Sequence, residues 1–353
     1  MKTKNLLIIC MMASLMSGCH GTEPEGPGTD PLAPILFLNN GNWNSNDAGM
    51  TLFDMDSRTI SADVFARTNG RNMGDLAQDI IKLGDGYAVS MNGSQLVYVL
   101  GGDFKVKREI IAEHEGVRLS PRCLAEHEGK IYVSYYEGYL GEIDPLHDYA
   151  LRLTPVGPNP DGLVYAAGKV YVANSGGYLS PDYGTSVSVV DAASFVEEAC
   201  VTVNNNPVAM AASRDGSSIY VCSWGNYADK PSALERIDAV TLEVSPVDYQ
   251  DVRGIAAGAG DILYVVTGGY DENWQITGTI NSYDMAADRK AGVLTEEKIP
   301  SFYSISADPS GLVFAGSSDY TTEGDMYIFD DAGQLLAKAG SGGLNPIRGM
   351  LLQ

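Results

Sequence analysis

Apolar positions along this chain come in short runs rather than in long amphipathic stretches. Beyond residue 18 nothing repeats at helical spacing for three turns. Instead, β-branched and aromatic runs are bounded by Gly, Asp, Asn and Pro, which is the pattern of an all-β chain. Seven of these runs match one another: residues 35–38, 87–90, 131–134, 170–173, 219–222, 263–266 and 313–316. Taking Leu36, Tyr87, Tyr132, Tyr171, Tyr220, Tyr264 and Phe314 as equivalent gives spacings of 39 to 51 residues, the period of a four-stranded propeller blade.

The neighbours of each run support this reading. Tight-turn residues such as Gly84-Asp85-Gly86 and Arg214-Asp215-Gly216 precede the runs, as hairpins require. A further strand ends at Asp54, Asp144, Asp191, Asp238, Asp284 or Asp330, and one copy departs at Gly101-Gly102-Asp103. The first copy lacks a preceding inner strand, and the chain ends in an orphan one over residues 346–352. The prediction is a seven-bladed β-propeller spanning 35–353, in which the last strand completes the first blade and removes the sheet edges.

The N-terminus reads as an address rather than as structure. Lys2 and Lys4 precede an apolar run at 6–16 that is too short to span a bilayer, and Ser17-Gly18 precede Cys19. Residues 1–18 are therefore expected to be an export signal, with Cys19 acylated as the first mature residue and the protein lipid-anchored. From 19 to 34 the composition shifts to Gly, Pro, Glu, Asp and Thr, which suits a flexible tether. The formal charge of the 353-residue chain is −22, and it becomes more negative once Lys2 and Lys4 are removed. That argues against nucleic acid, and against a membrane contact other than the lipid. Cys123, Cys200 and Cys222 are an odd set in strand-like runs, read as buried small hydrophobes.

In an up-and-down blade, the loop after the second strand and the loop entering the next blade share one face. The loops assigned to that face are long and aromatic, and contain all three tryptophans: Trp43, Tyr135, Tyr183, Trp224, Tyr227, Tyr270, Trp274 and Tyr320. Amphipathic rings over a concavity suit a large, partly apolar ligand. Companion loops add Arg71 and Arg122, with Asn159, Asn206, Arg253 and Arg348 at or just before inner strands. No catalytic residue or metal ligand is assigned. The four histidines have no metal-ligand spacing, and no nucleophile elbow or nucleotide fingerprint is present. The acids of the long loops match no calcium-loop spacing.

The segments 38–43 (Leu-Asn-Asn-Gly-Asn-Trp) and 69–78 (Asn-Gly-Arg-Asn-Met-Gly-Asp-Leu-Ala-Gln), with the Tyr-Val and Ile-Asp strand pairs, resemble YncE-like propellers of Bacteroides-type bacteria. Within that family the chain is similar to the BtuG-type surface lipoproteins. The resemblance implies capture of cobalamin and its delivery to a BtuB-type TonB-dependent transporter at the outer membrane, with no covalent chemistry and no cofactor. Glu23 and Glu25 after Cys19 are a loose match to the acidic surface-export stretch of that family. Two alternatives stand beside it: a propeller for another ligand or protein partner, and a lactonase- or lyase-type enzyme. The enzyme would need carboxylates around the central tunnel, where arginines are the more visible residues.

Overall fold

The computed structural model describes residues 33–352, and these form one compact unit. The signal, Cys19 and nearly all of the tether lie outside the described residues. Seven four-stranded antiparallel sheets follow one another, each a blade. Their inner strands are Pro346–Leu351, Ala77–Leu83, Pro121–His127, Pro160–Ala166, Pro207–Ala212, Val252–Ala257 and Phe302–Ala307, in blades 1 to 7 respectively. The second strands are Ile35–Asn39, Gly86–Met91, Lys130–Tyr135, Lys169–Asn174, Ser218–Ser223, Ile262–Thr267 and Val313–Ser317. Blade 1 is closed as expected: Ile35–Asn39 pairs antiparallel with Pro346–Leu351, and Leu352 N donates to Pro34 O at 3.0 Å.

The continuous apolar character of the second strands follows from their position. Each lies between two neighbouring blades, so both of its faces are covered and alternation of polar and apolar residues is lost. In blade 1, Leu36 and Leu38 pack toward blade 2, while Ile35 and Phe37 pack against Phe314, Met326 and Ile328 of blade 7. Seven apolar clusters each straddle one pair of adjacent blades. At about 25 cal/mol per Å² of apolar surface, these interfaces supply the main stabilisation of a fold whose blades touch only their neighbours.

Pairing corrects the sequence alignment in blade 2. Asp79 pairs with Ser90, as Ala209 pairs with Cys222 and Gly254 with Val266. The residue equivalent to Tyr132, Tyr171, Tyr220 and Tyr264 is therefore Ala88, and Tyr87 is one position out of step. A slip of one residue reverses the face. Ala88 packs toward blade 3, whereas Tyr87 packs back toward blade 1.

Cysteine placement also differs from expectation. Cys222 is buried and Cys123 partly so, but Cys200 sits exposed on the outer strand Val196–Thr202, where no further blade covers it. Small elements that were not expected include a helix at Val64–Asn69, a hairpin of two-residue strands, Glu113–His114 with Val117–Arg118, and 3-10 turns at Pro145–His147 and Gly177–Leu179.

Candidate functional site

Entry into the inner strands is built on one repeated device. The residue just before the strand has a left-handed backbone in six blades: Leu76, Asn159, Asn206, Asp251, Ser301 and Asn345, with φ between 47° and 60°. Asn tolerates this region well, and Asn159 and Asn345 also use their amides to hold Tyr136 O and Gly41 O. Immediately afterwards, the pairing of inner and second strand shifts register in every blade. Such bulges re-aim side chains. Here they turn two adjacent residues per blade toward the axis: Gln78-Asp79, Arg122-Cys123, Asp161-Gly162, Val208-Ala209, Arg253-Gly254, Tyr303-Ser304 and Ile347-Arg348. All of these line one central cavity of about 950 Å³.

The ring is uneven. On blades 1 to 4 its charges are matched in pairs between adjacent blades. Arg348 Nη1 lies 2.6 Å from Asp79 Oδ1, whose other oxygen accepts from Leu124 N at 2.9 Å. Arg122 forks onto Asp161 through Nε and Nη2, at 2.8 to 3.2 Å, with its guanidinium 5.1 Å from the Tyr136 ring centre. Burial works against the Arg122 charge, but Asp161 outweighs it and raises the arginine pKa. Cys123 stands among these groups, and burial together with Asp161 and Asp79 pushes its thiol well up, so the neutral form is held.

On blades 4 to 6 the ring residues Gly162, Val208, Ala209 and Gly254 are small, and space opens. A Cβ at Gly162 would stand 2.8 Å from Val208 O, so glycine permits blades 4 and 5 to approach at this point. Above this gap lies a crescent of rings. Tyr183 meets Tyr227 edge-on at 6.0 Å, Tyr227 meets Tyr270 at 6.3 Å, and Tyr270 meets Trp274 at 5.5 Å. Trp224 donates its indole N–H to Arg253 O at 3.0 Å. On blade 7, Tyr320 stands edge-on to Tyr303 at 5.6 Å. Trp274 is 69% exposed and Tyr320 56% exposed, too open to be explained as core packing. Burial beside Tyr270 and Tyr183 raises the Tyr227 phenol, which stays protonated.

Eight of the twelve residues singled out from sequence line the cavity: Arg122, Trp224, Tyr227, Arg253, Tyr270, Trp274, Tyr320 and Arg348. Tyr183 lies one ring further out, against Tyr227. Trp43 is exposed but does not line the cavity. Arg71 pairs with Glu109 and covers the Tyr98 ring, away from the axis. Tyr135, expected in a rim loop, is instead the last residue of its strand and is buried between blades 2 and 3, because the strand runs one residue further than read. Sequence reasoning missed Tyr303, Asp79 and Asp161. The signal was available: Asp161 and Tyr303 hold the same second position of their inner strands as Arg122 and Arg253, and Asp79 matches Arg348. Acids thus reach the axis as readily as arginines do. Among the described residues no group of three or more His, Cys, Asp or Glu is gathered closely enough to hold a metal ion.

No family model and no curated relative matches the sequence. Solved structures share the fold. A quinoprotein alcohol dehydrogenase-like protein of Bacteroides thetaiotaomicron aligns with a TM-score of 0.64 and 15% identity, over 92% of this chain and 79% of that one. A streptogramin B lyase aligns with a TM-score of 0.52 and 10% identity, over 87% of each chain. The dihydro-heme d1 dehydrogenase NirN, in complex with DHE, gives 0.55 and 12%, over 94% of this chain and 78% of that one. At these identities the likeness is one of fold, a β-propeller whose distant neighbours have varied functions.

Proposed function

We propose that this propeller is a capture protein and not an enzyme, holding a large, flat, ring-containing molecule in its aromatic bowl. Cobalamin is the ligand we put first, passed on to a BtuB-type TonB-dependent transporter by a protein lipid-anchored through Cys19 at the outer membrane. The observation that carries the reading is the crescent of Trp224, Tyr227, Tyr270, Trp274 and Tyr320 over a cavity of about 950 Å³. Exposed rings above a cavity gain from covering a broad apolar face. The matched charges support the choice of capture over catalysis. A lactonase- or lyase-type reaction needs carboxylates free to act, and Asp79 and Asp161 each hold an arginine.

Calorimetry with cobalamin tests this. Trp224→Ala or Trp274→Ala should weaken binding at least tenfold, from a truncation cost of about 2 kcal/mol for an interface ring. His147→Ala and Asp238→Ala, on the opposite face, should leave affinity unchanged. An absence of heat at high cobalamin concentration removes the ligand assignment. Binding that ignores both tryptophans moves the site.

A further inference from the structure

Among the described residues three guanidinium groups reach the ring, and two of them face a carboxylate at hydrogen-bonding distance. Arg348 and Arg122 are neutralised by Asp79 and Asp161. Arg253 has only a loose ion pair: Asp251 stands 3.8 Å from Nη2, beyond hydrogen bonding, and is itself 65% exposed and so screened by water. The Arg253 side chain is only 10% exposed. A cation withdrawn from water to this degree is only partly compensated by a long pair to a water-screened acid, which leaves room for a closer counter-charge.

The same side chain is held in place. Arg253 Nε donates to Gly268 O at 2.8 Å, and its guanidinium lies 4.6 Å from the Tyr270 ring centre. Its own carbonyl is held by the Trp224 indole N–H, and the register shift between Val252 and Gly254 fixes the direction in which it points. Among the described residues the two terminal nitrogens make no hydrogen bond, and Arg253 lines the same cavity as the small residues Val208, Ala209 and Gly254.

We propose that Arg253 is an anion-binding subsite, so that the molecule held by the aromatic crescent carries a carboxylate, phosphate or sulfonate placed against this guanidinium. The inference rests on the capture reading and narrows its ligand class to ring systems bearing one acidic group. Planar guanidinium is the side chain best matched to such oxyanions.

Two fluorescent probes with the same rings separate charge from shape: 8-anilinonaphthalene-1-sulfonate, and N-phenyl-1-naphthylamine, which lacks the sulfonate. The native protein should bind the sulfonate at least tenfold more tightly, the scale of a charge-assisted hydrogen bond. Arg253→Gln should abolish that preference, bringing the two probes to the same affinity, and Arg253→Lys should keep part of it. Equal affinity of the native protein for the two probes overturns the subsite, as does a preference that survives Arg253→Gln. The native ratio decides by itself if a variant fails to fold. Trp224→Ala should weaken both probes. If neither probe binds, or neither responds to Trp224→Ala, the capture reading falls together with the subsite. If both respond to Trp224→Ala but not to Arg253→Gln, the subsite alone falls.

Discussion

The three cysteines of the propeller show how far one side chain's fate depends on where the blade repeat sets it down. Cys222 lies on a second strand between blades, and burial pushes its thiol up to about 12. Cys123 is a ring residue whose ionisation burial and two nearby aspartates oppose. Cys200 is exposed on an outer strand. A buried thiol is out of reach of an alkylating agent, so brief iodoacetamide treatment of the folded protein should label Cys200 ahead of the propeller's other two cysteines. Mass spectrometry locates the adduct, and early modification of Cys222 would contradict its burial. The same dependence explains which site residues could be read in advance. Trp224, Tyr270 and Trp274 stood out because turns have no need of large rings. Tyr135 misled, because the end of a buried strand and the start of a loop look alike when both are aromatic. Asp79 and Asp161 were overlooked because one acid beside a strand is unremarked until its register is known.

Single blades show a second kind of bond between elements. In blade 3, Glu142 lies on the third strand, Tyr139–Asp144, and is 3% exposed. It accepts from Arg152 Nε at 2.8 Å and Nη2 at 2.9 Å, and from Lys130 Nζ at 3.2 Å. Arg152 also donates to Ala192 O of the neighbouring blade at 3.1 Å. One carboxylate thereby ties three strands of blade 3 to blade 4. Burial opposes its charge, but hydrogen bonds from Arg152 and Lys130 prevail, so its pKa falls below the ordinary 4.5. A lowered folded pKa means that the contribution is complete above about pH 4.5 and fades as pH drops through the folded value. Glu142→Gln should cost about 1 to 3 kcal/mol at neutral pH, toward the lower end because Arg152 is partly exposed. In urea melts the gap between variant and native protein should narrow in acid; a gap constant with pH would contradict this account. At this scale, strand identity was legible and register was not. Blade 2 reads one residue early because Tyr87 mimics the tyrosine of the other copies, and pairing is fixed by bulges that carry no fixed residue type. The helix Val64–Asn69 is too short to display a period.

For the molecule as a whole, the blade count and the closing strand were both legible, because they rest on seven copies, the first lacking an inner strand and the last followed by an orphan one. The cavity was legible only as a face, since its shape depends on which ring positions are small. Closure matters energetically because the cluster of Ile35, Phe37 and Phe53 with Phe314, Met326 and Ile328 forms only when blade 1 is complete. Deleting residues 345–353 removes the inner strand of that blade and exposes an apolar sheet edge. Thermal melts of the truncated protein should show a large loss of stability or of soluble yield, and a native-like midpoint would refute closure by this strand.

A sheet completed by strands from opposite ends of the sequence turns a linear polymer into a loop, and a loop has no preferred origin. Pro34 and Leu352 already share a backbone hydrogen bond, so a short peptide could splice them with little loop entropy lost. The cut could then be made elsewhere, for instance within residues 296–298 between blades 6 and 7, which are exposed. Such a permuted protein should melt cooperatively and keep its thiol accessibility pattern, since each blade would still meet the same two neighbours. Failure to fold after the cut is moved would show instead that the order in which the blades emerge is part of how the ring is assembled.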